Sequence, residues 1–341
     1  MTAPAPFAGL IDLAAERLGG RALEANDEFF APKENLLKPG RGISKPDEYT
    51  DRGKWMDGWE TRRRRTPGHD WCVIRLGLPG IIRSVNIDTH HFLGNHPTHA
   101  SLDAGVGDPT GSLPTGAQWV EILPRAPLAP DLQNMFPLDH DQRWTHVRLN
   151  IYPDGGVARL RTYGMVAPDW ASYAAGTVID LAAVEHGGLA LDCSDMFFST
   201  MQNLILPGPA QHMGDGWETK RRRGPGHDWA IIRLGRPGTI EKVVVETTHF
   251  KGNFPDQCSL EGCFLPDTDD QAFDSAAVAW RELLPKSRLT GHSQHEFTSE
   301  LVDIGDSTHL RLNIYPDGGI ARLRAFGLPD LTSNPPALPA T

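Results

Sequence analysis

The most constraining feature of this sequence is a long internal repeat. Residues 57–77 return as residues 215–235 with changes at four of 21 positions, and residues 148–164 return as residues 311–327 with changes at three of 17 positions. Matched positions are 158 to 168 residues apart, far beyond the roughly 20 to 50 residues of solenoid and propeller repeats. The sequence therefore predicts two copies of one domain.

What the repeat retains is mostly polar. The first block reads Asp57-Gly58-Trp59-Glu60-Thr61-Arg62-Arg63-Arg64, continues to Gly68-His69-Asp70-Trp71, and recurs almost unchanged. A duplicated core needs only to keep its hydrophobic pattern, so the retention of carboxylates, arginines and a histidine favours a shared functional site. For any single arginine, a solvated charge or a structural ion pair explains the residue equally well.

Length and composition bound the possible functions. The 341 residues suffice for two domains that each bury a core. The formal charge of −10, from 33 basic and 43 acidic side chains, argues against a nucleic-acid partner. No apolar run approaches the roughly 20 residues that span a bilayer, and the N-terminus lacks the pattern of a signal peptide. We expect neither a nucleic acid nor a membrane as partner.

The four cysteines are not part of the repeated unit. Cys72 faces Ala230, and Cys193, Cys258 and Cys263 face Ala25, Ala100 and Gly105 in the other copy. A disulfide or thiolate metal site common to both copies is therefore excluded. Reduced thiols and a cytoplasmic location are the expectation.

The local patterns predict β-structure. Trp71–Leu76 and Ile81–Phe92 are strands separated by the turn Gly77–Gly80. Residues 147–152 alternate between apolar and polar side chains, and the turn Tyr152–Gly156 leads into a return strand. Short strands joined by Gly/Pro turns are typical of an all-β sandwich. The predicted domains are residues 9–167 and 177–329, and Asp57–Gly68 is predicted to be a long ordered loop.

Several repeated residues suit acid/base chemistry and anion binding. Guanidinium groups bind carboxylate and ureido oxygens, and His69 and His91 titrate near neutral pH. A histidine bonded to a loop carbonyl is the structural alternative. The first copy also holds His90, His96 and His99, but these face Thr248, Phe254 and Gln257. The sequence requires no cofactor, and a divalent metal restricted to the first copy stays open, without a repeated ligand set.

These blocks resemble the allantoicase (allantoate amidinohydrolase) family. The similarity covers residues 9–329 and includes the segment from His91 or His249 to Gly-Asn-x-Pro, and Leu149-Asn150-Ile151-Tyr152-Pro153-Asp154-Gly155-Gly156. The resemblance implies two tandem jelly-roll β-sandwiches of the galactose-binding type and hydrolysis of allantoate to ureidoglycolate and urea. It also implies a small ureide as the partner and a homo-oligomer.

Laid over the resemblance, residue chemistry gives two sets of candidates. The arginines would clamp the carboxylate and a ureido oxygen, an acid would protonate the departing urea, and a carboxylate or histidine would activate water. The predicted catalytic residues are Asp57, Glu60, His69, Asp70 and His91, with Asp215, Glu218, His227, Asp228 and His249. The predicted substrate-binding residues are Arg62, Arg64, Asn95, Arg148, Asn150 and Arg161, with Arg222, Asn253, Arg311, Asn313 and Arg324.

Two other functions stay open at this point. One is a non-catalytic carbohydrate- or ligand-binding double sandwich, in which Trp59 and Trp217 stack on a sugar ring. The other is a hydrolase or lyase that acts on another ureido compound, such as ureidoglycolate. Two sites per chain and one site at the interface of the copies are equally open, and the exchange of Arg62 for Lys220 mildly favours the first copy as the active one.

Overall fold

The structure is a computed structural model that describes residues 10–113, 116–266, 268 and 273–333. The chain divides into two compact units, Met1–Ala167 and Pro168–Thr341. Both are built from β-strands, and the described residues contain no α-helix. The predicted all-β class is confirmed. The predicted limits, 9–167 and 177–329, stay a prediction, and residue 9 lies outside the described residues.

The described residues of the first unit form twelve strands and two 3₁₀ helices. The strands are β1 (Ile11–Asp12), β2 (Arg21–Ala25), β3 (Tyr49–Thr50), β4 (Gly53–Lys54), β5 (Trp59–Glu60), β6 (Asp70–Asp88), β7 (His99–Gly105), β8 (Val120–Pro127), β9 (Gln133–Pro137), β10 (Trp144–Tyr152), β11 (Gly156–Val157) and β12 (Arg159–Val166). The 3₁₀ helices are Glu16–Leu18 and Lys33–Leu37.

The second unit repeats this order without the β3–β4 hairpin. Its strands are β13 (Ile179–Asp180), β14 (Leu189–Cys193), β15 (Trp217–Glu218), β16 (Asp228–Glu246), β17 (Gln257–Cys263), β18 (Arg281–Arg288), β19 (Gln294–Phe297), β20 (Ser307–Tyr315), β21 (Gly319–Ile320) and β22 (Arg322–Pro329). Its 3₁₀ helices are Trp170–Ser172, Val184–His186, Met201–Ile205 and Met213–Asp215.

The long strand β6 connects the two layers of the first unit. Asp70 pairs with Ile151, and Asp88 pairs with Arg159. A straight strand of this length would be about 60 Å long, whereas the links from Ile151 to Arg159 reach at most about 29 Å. The strand therefore folds back near Gly77–Gly80, where its register against β10 slips. Both of its ends lie at the same end of the unit.

The two arms of β6 belong to different layers. The first arm joins β2, β10, β7 and β8, and the second arm joins β1, β12 and β9. In β10, Val147, Leu149 and Ile151 are fully buried between the layers. Their neighbours Arg148, Asn150 and Tyr152 therefore point to the other face of the sheet. Strand β16 plays the same part in the second unit. No helix among the described residues is long and apolar enough to cross a membrane.

Candidate active site

Three repeated segments meet at the end of the unit where β6 begins and ends. Thr61 N donates to Gly155 O (3.1 Å), Gly156 N donates to Asn95 O (2.8 Å), and Thr98 N donates to Tyr152 O (3.0 Å). The equivalent bonds join Thr219 to Gly318, Gly319 to Asn253 and Asp256 to Tyr315 in the second unit. The repeated polar residues are thus gathered at one end of each sandwich.

Packing explains the repeated glycines of the turn. Phe92 is fully buried, and a Cβ on Gly156 would lie 1.9 Å from its ring. Gly155 has φ +139°, a conformation that side chains rarely adopt. Phe250 and Gly319 repeat this contact. These glycines are retained for the close approach of the segments.

Asp57, a predicted catalytic residue, lies in a buried ion pair. Its Oδ2 accepts hydrogen bonds from Arg159 Nη2 (2.7 Å) and Ile43 N (2.9 Å). Burial opposes ionisation, but these hydrogen bonds and the charge of Arg159 outweigh it and lower the pKa of Asp57. Asp215 pairs with Arg322 in the same way (3.0 Å). A carboxylate of this kind anchors its loop and is a poor proton donor.

Asp70 is also committed to contacts within the fold. Its Oδ1 accepts from Arg64 Nη1 (2.7 Å) and Asn26 Nδ2 (2.9 Å), and only 1% of the residue is exposed. The Arg64 guanidinium lies over Gly68, where a Cβ would come within 2.9 Å of Nη2. In the second unit Asp228 holds Arg222 and Ser194. These pairs fix the shape of the loop that carries the repeated arginines, Asp57–Gly68 in the first unit.

Arg161 stabilises the segment that follows the second 3₁₀ helix. It donates to the carbonyls of Leu36, Lys38 and Gly40 and lies 3.5 Å from Asp12 Oδ2. Arg324 donates to Leu206 and Gly208 and lies 3.6 Å from Asp180. Burial raises the pKa of Asp12 to about 6 against the opposing charge of Arg161. The predicted substrate-binding arginines Arg161 and Arg324 therefore have structural contacts that account for them.

Glu60 and Asn95 form a hydrogen-bonded pair at this end of the unit. Asn95 Nδ2 donates to Glu60 Oε1 (2.7 Å), and burial raises the pKa of Glu60 against that hydrogen bond. The pair recurs as Glu218 and Asn253. A carboxyl group with a raised pKa can act as a general acid near neutral pH.

The arginines beside Glu60 reach toward solvent. Arg62 Nε bonds Asp27 Oδ2 (2.6 Å), and Arg63 Nη1 lies 3.5 Å from Asp154 Oδ1. Arg62, Arg63 and Arg65 are exposed. Each guanidinium has five N–H donors, so the exposed Arg62 and Arg63 keep donors for an anionic ligand beyond these pairs.

His91 is held in a left-handed conformation next to His90. The predicted strand through Phe92 ends at Asp88, because His91 has φ +66° and its N–H donates to Asp131 Oδ1 (2.8 Å). The rings of His90 and His91 are 3.8 Å apart, and His90 Nδ1 lies 2.8 Å from the same carboxylate. His249 also has positive φ (+71°), and its Nε2 bonds Ala210 O (2.9 Å).

Of the four histidines considered for a metal, His90 and His91 come together with Asp131. One ligand atom of each lies within 4.8 Å of the others. His96 and His99 do not belong to this group, and Thr248 replaces His90 in the second copy. A metal in the first unit would fit this donor set, which nothing in the second unit repeats among the described residues.

Arg148 and Asn150 belong to a polar network on the outer face of the sheet. Arg148 Nε and Nη2 donate to Asp103 Oδ2 (3.0 and 2.7 Å), and Asn150 Nδ2 donates to the same oxygen (2.9 Å). Ser101 Oγ bonds Asn150 and the Tyr152 hydroxyl. The His69 ring packs on Tyr152 at 4.7 Å. A cavity of about 420 Å³ opens beside Arg148.

Sequence reasoning missed Asp103, Ser101 and Tyr152 as site residues. The first two pair across the sheet with Arg148 and Asn150, a register that no local pattern encodes. A usable signal existed in Ser101-Leu102-Asp103, which recurs as Ser259-Leu260-Glu261. Trp59 and Trp217 were open to sugar stacking in the binding-module alternative. That role is wrong because both are fully buried, and their indole N–H groups donate to Asp27 O and Asp195 O.

Comparison with known proteins places both units in one family. The family model described as "Allantoicase repeat" matches residues 11–167 and 179–330. A probable allantoicase of Pseudomonas aeruginosa (strain UCBPP-PA14) is 51% identical over 330 residues, covering 96% of this chain and 98% of that protein. A probable allantoicase of Photobacterium profundum is 50% identical, covering 94% and 97%.

A solved structure agrees with the sequence relatives. The crystal structure of allantoicase from Saccharomyces cerevisiae is 38% identical to this chain, with a TM-score of 0.76 and 93% of each chain covered. The resemblance and the double-sandwich fold predicted from the sequence are confirmed. The chain belongs to the allantoicase family.

Proposed function

We propose that this chain is a hydrolase that converts allantoate and water to ureidoglycolate and urea. The observation that carries the proposal is the family match of both repeats, since relatives about half identical over nearly the whole chain are named probable allantoicases. The repeated Glu60–Asn95 pair and the exposed arginines beside it supply suitable chemistry.

Substrate binding is assigned to the loop end of each unit. Allantoate has a carboxylate and two ureido groups on one carbon, and guanidinium is the natural partner for these oxygens. Arg62, Arg63 and Arg65 are exposed, and Arg62 and Arg63 each pair with one aspartate. Arg64, Arg148 and Arg161 are less exposed and bind groups within the fold. We assign the carboxylate to the exposed arginines and a ureido group to Asn95.

The acid and base are assigned to Glu60 and His69. Glu60 donates a proton to the ureido nitrogen as the carbon–nitrogen bond breaks, and urea leaves neutral. His69 takes a proton from the water whose oxygen bonds to the central carbon. Because burial raises the pKa of Glu60, its acid form persists to higher pH than usual. Since Glu60 must hold its proton while His69 must have lost one, we expect a bell-shaped pH profile, and activity that rises with pH without reaching a maximum would contradict the assignment of Glu60.

No resident cofactor is assigned to this reaction. The repeated residues include proton donors, acceptors and cations, which can stabilise charge in the transition state without a metal. His90, His91 and Asp131 are the residues that would hold a divalent ion in the first unit. Activity that survives a chelator supports the metal-free route, and loss that Zn²⁺ or Mn²⁺ restores would move the chemistry to this cluster.

Location and assembly are finer proposals. All four cysteines are free, which supports a reducing compartment, and we propose the cytoplasm. The family resemblance supports a homo-oligomer. Light scattering on the purified chain measures the second point, and a monomeric mass would remove it.

The deciding experiment measures urea released from allantoate by the purified chain. Ureidoglycolate serves as the parallel substrate, and a matched sample contains chelator. Urea from allantoate supports the proposed reaction. Release from ureidoglycolate alone would support the other ureide enzyme, and release from neither would favour a binding module.

A further inference from the structure

In the second unit, hydrogen bonds link a carboxylate on the sheet to a histidine at the loop end. Arg311 Nε (2.7 Å) and Asn313 Nδ2 (2.8 Å) both donate to Glu261 Oε2. Asn313 Oδ1 then lies 3.1 Å from His227 Nε2. The His227 ring packs on Tyr315 at 4.7 Å. The chain of contacts therefore runs from guanidinium to carboxylate to amide to imidazole.

The donors in this chain fix the position of one proton. A carboxylate only accepts, so the amide must turn its NH₂ group toward Glu261 and its oxygen toward His227. An amide oxygen also only accepts, so the histidine nitrogen facing it must carry hydrogen. In the neutral ring, Nδ1 is then left as the proton acceptor.

The first unit has equivalent residues in nearly the same places, with Asp103 where the second unit has Glu261. Asn150 Nδ2 donates to Asp103 Oδ2 (2.9 Å), and His69 packs on Tyr152 with the same 4.7 Å separation. The interplanar angles of the two histidine–tyrosine pairs are 37° and 38°. Asn150 Oδ1 is buried and accepts no hydrogen bond from any described residue. The equivalent atom of the second unit, Asn313 Oδ1, is the one that bonds His227.

A buried acceptor without a hydrogen bond destabilises the folded state. A small movement of His69 toward Asn150 would remove that destabilisation, because the ring already occupies the matching position. The arginine matters as well. Arg148 is bonded to Asp103 and lies over the Trp119 ring (4.9 Å), so it compensates the carboxylate charge next to the amide.

Other charged groups near the histidine do not supply the same restraint. Arg125 lies over the Tyr152 ring (4.4 Å) and Lys286 over Tyr315 (4.0 Å). Asp70, the next residue in the chain, holds Arg64 and Asn26. The restraint on the ring is the hydrogen bond between His227 Nε2 and Asn313 Oδ1.

We propose that Asp103 and Glu261 are positioning residues, which act through Asn150 and Asn313 to fix His69 and His227 with hydrogen on Nε2 and Nδ1 free to accept a proton. The catalytic part of this inference rests on the proposed function, in which the histidine activates water. The orientation of the ring does not, because it follows from the hydrogen-bonding network alone.

The first test reads the tautomer directly. The full chain is labelled with ¹⁵N-histidine, and the His69 and His227 signals are assigned by their loss in His69→Asn and His227→Asn. At a pH where the rings are neutral, both wild-type residues should carry hydrogen on Nε2. In Asp103→Asn the amide of Asn150 is free to turn over, so His69 should become a mixture of tautomers.

The chain supplies its own matched control. Glu261 occupies the position of Asp103 in the second unit, so Asp103→Glu should keep the Nε2–H form. Glu261→Gln and Glu261→Asp repeat the pair at His227 if a first-unit variant does not fold. Hydrogen on Nδ1 in the wild type, or an unchanged tautomer in folded Asp103→Asn and Glu261→Gln, would overturn the proposal.

The second test asks whether the orientation serves the reaction. In Asp103→Asn/Glu261→Gln, kcat should fall by about two- to tenfold with little change in KM, because only part of the histidine population keeps the tautomer that can act as the base. The acid limb of the pH profile should shift, and Asp103→Glu/Glu261→Asp should recover most of the activity. Full kcat with an altered tautomer would remove the catalytic role. If the wild type releases no urea, the proposed function fails while the NMR result still decides the orientation.

Discussion

The two repeats differ least in how their loops are anchored and most in what surrounds them. The buried pair Asp57–Arg159 recurs as Asp215–Arg322, and both hold carboxylate and guanidinium within 3.0 Å. At the solvent-exposed edge of the site, here called the rim, Lys220 stands in place of Arg62. The aspartate partner is retained, as Asp27 in the first unit and Asp195 in the second. Both units therefore keep the same buried ion pair, whereas the exposed residues at the rim differ between them.

The rim of the first unit is more covered by neighbouring side chains than the rim of the second. Arg52, on the turn of the β3–β4 hairpin, and Arg62 lie over Phe29, which is 38% exposed. The described residues of the second unit form no such hairpin, and Phe197, the counterpart of Phe29, is 69% exposed. Asp131, bonded to His90, adds a carboxylate at the first rim, where the second unit has Thr248 and His292. Matched variants of the two units show whether these differences change catalysis or only the surroundings of the site.

The largest effect is expected from removing both histidines. His69→Asn/His227→Asn should lower kcat by about 10²- to 10⁴-fold, the usual contribution of a general base. Each single variant should keep roughly half of the activity if the two sites act independently. Urea release measures both. Loss of all activity in His69→Asn alone would place catalysis in the first unit, and an unchanged rate in a folded double variant would remove the histidine from the mechanism.

A large effect on stability is expected at the anchoring pair. Asp57→Asn leaves Arg159 buried without its charge partner, which should cost about 3–5 kcal/mol of unfolding free energy. Asp215→Asn is the matched variant, and its effect should be smaller because Asp215 is more exposed than Asp57. Denaturant melts give the values. A stable Asp57→Asn variant that loses activity would instead support the predicted catalytic role of Asp57.

The raised pKa of Asp12 predicts a pH dependence of stability. The folded state holds this proton up to about pH 6, whereas the unfolded chain releases it near the ordinary aspartate pKa of 3.8. The folded state therefore binds more protons in this window, and the contribution of Asp12 to stability falls as pH rises from about 4 to 6, by at most about 3 kcal/mol.

Asp12→Asn isolates this contribution. The stability of the wild type minus that of the variant should fall between pH 4 and 6 and then level off in denaturant melts. Asp180→Asn should give the same sign, since burial also raises the pKa of Asp180. A difference that grows with pH would mean that the ion pair with Arg161 outweighs burial at Asp12.

Local patterns predicted the duplication, the β-class and the alternation of β10, because these depend on residues close in sequence. They did not predict which arginines the fold itself consumes. Arg161 binds carbonyls 121 to 125 residues away, and Arg148 meets Asp103 through a strand register set by the whole sheet. The left-handed conformation of His91 was equally hidden, since the sequence there continues a strand pattern.

The smallest effect is expected from exchanging the rim cations. Arg62 and Lys220 both donate a backbone N–H and a side-chain N–H to the same aspartate, Asp27 or Asp195. Both side chains are about two-thirds exposed, so each surface pair contributes only about 0.2–1 kcal/mol. Arg62→Lys should raise KM for allantoate by no more than about fivefold, and Lys220→Arg should lower it by less, with kcat unchanged. Arg62→Lys is measured in the His227→Asn background and Lys220→Arg in the His69→Asn background, so that each change is assigned to its own unit. A larger change in kcat than in KM would mean that the guanidinium acts on the transition state, and that the replacement by Lys220 made the second unit the slower one.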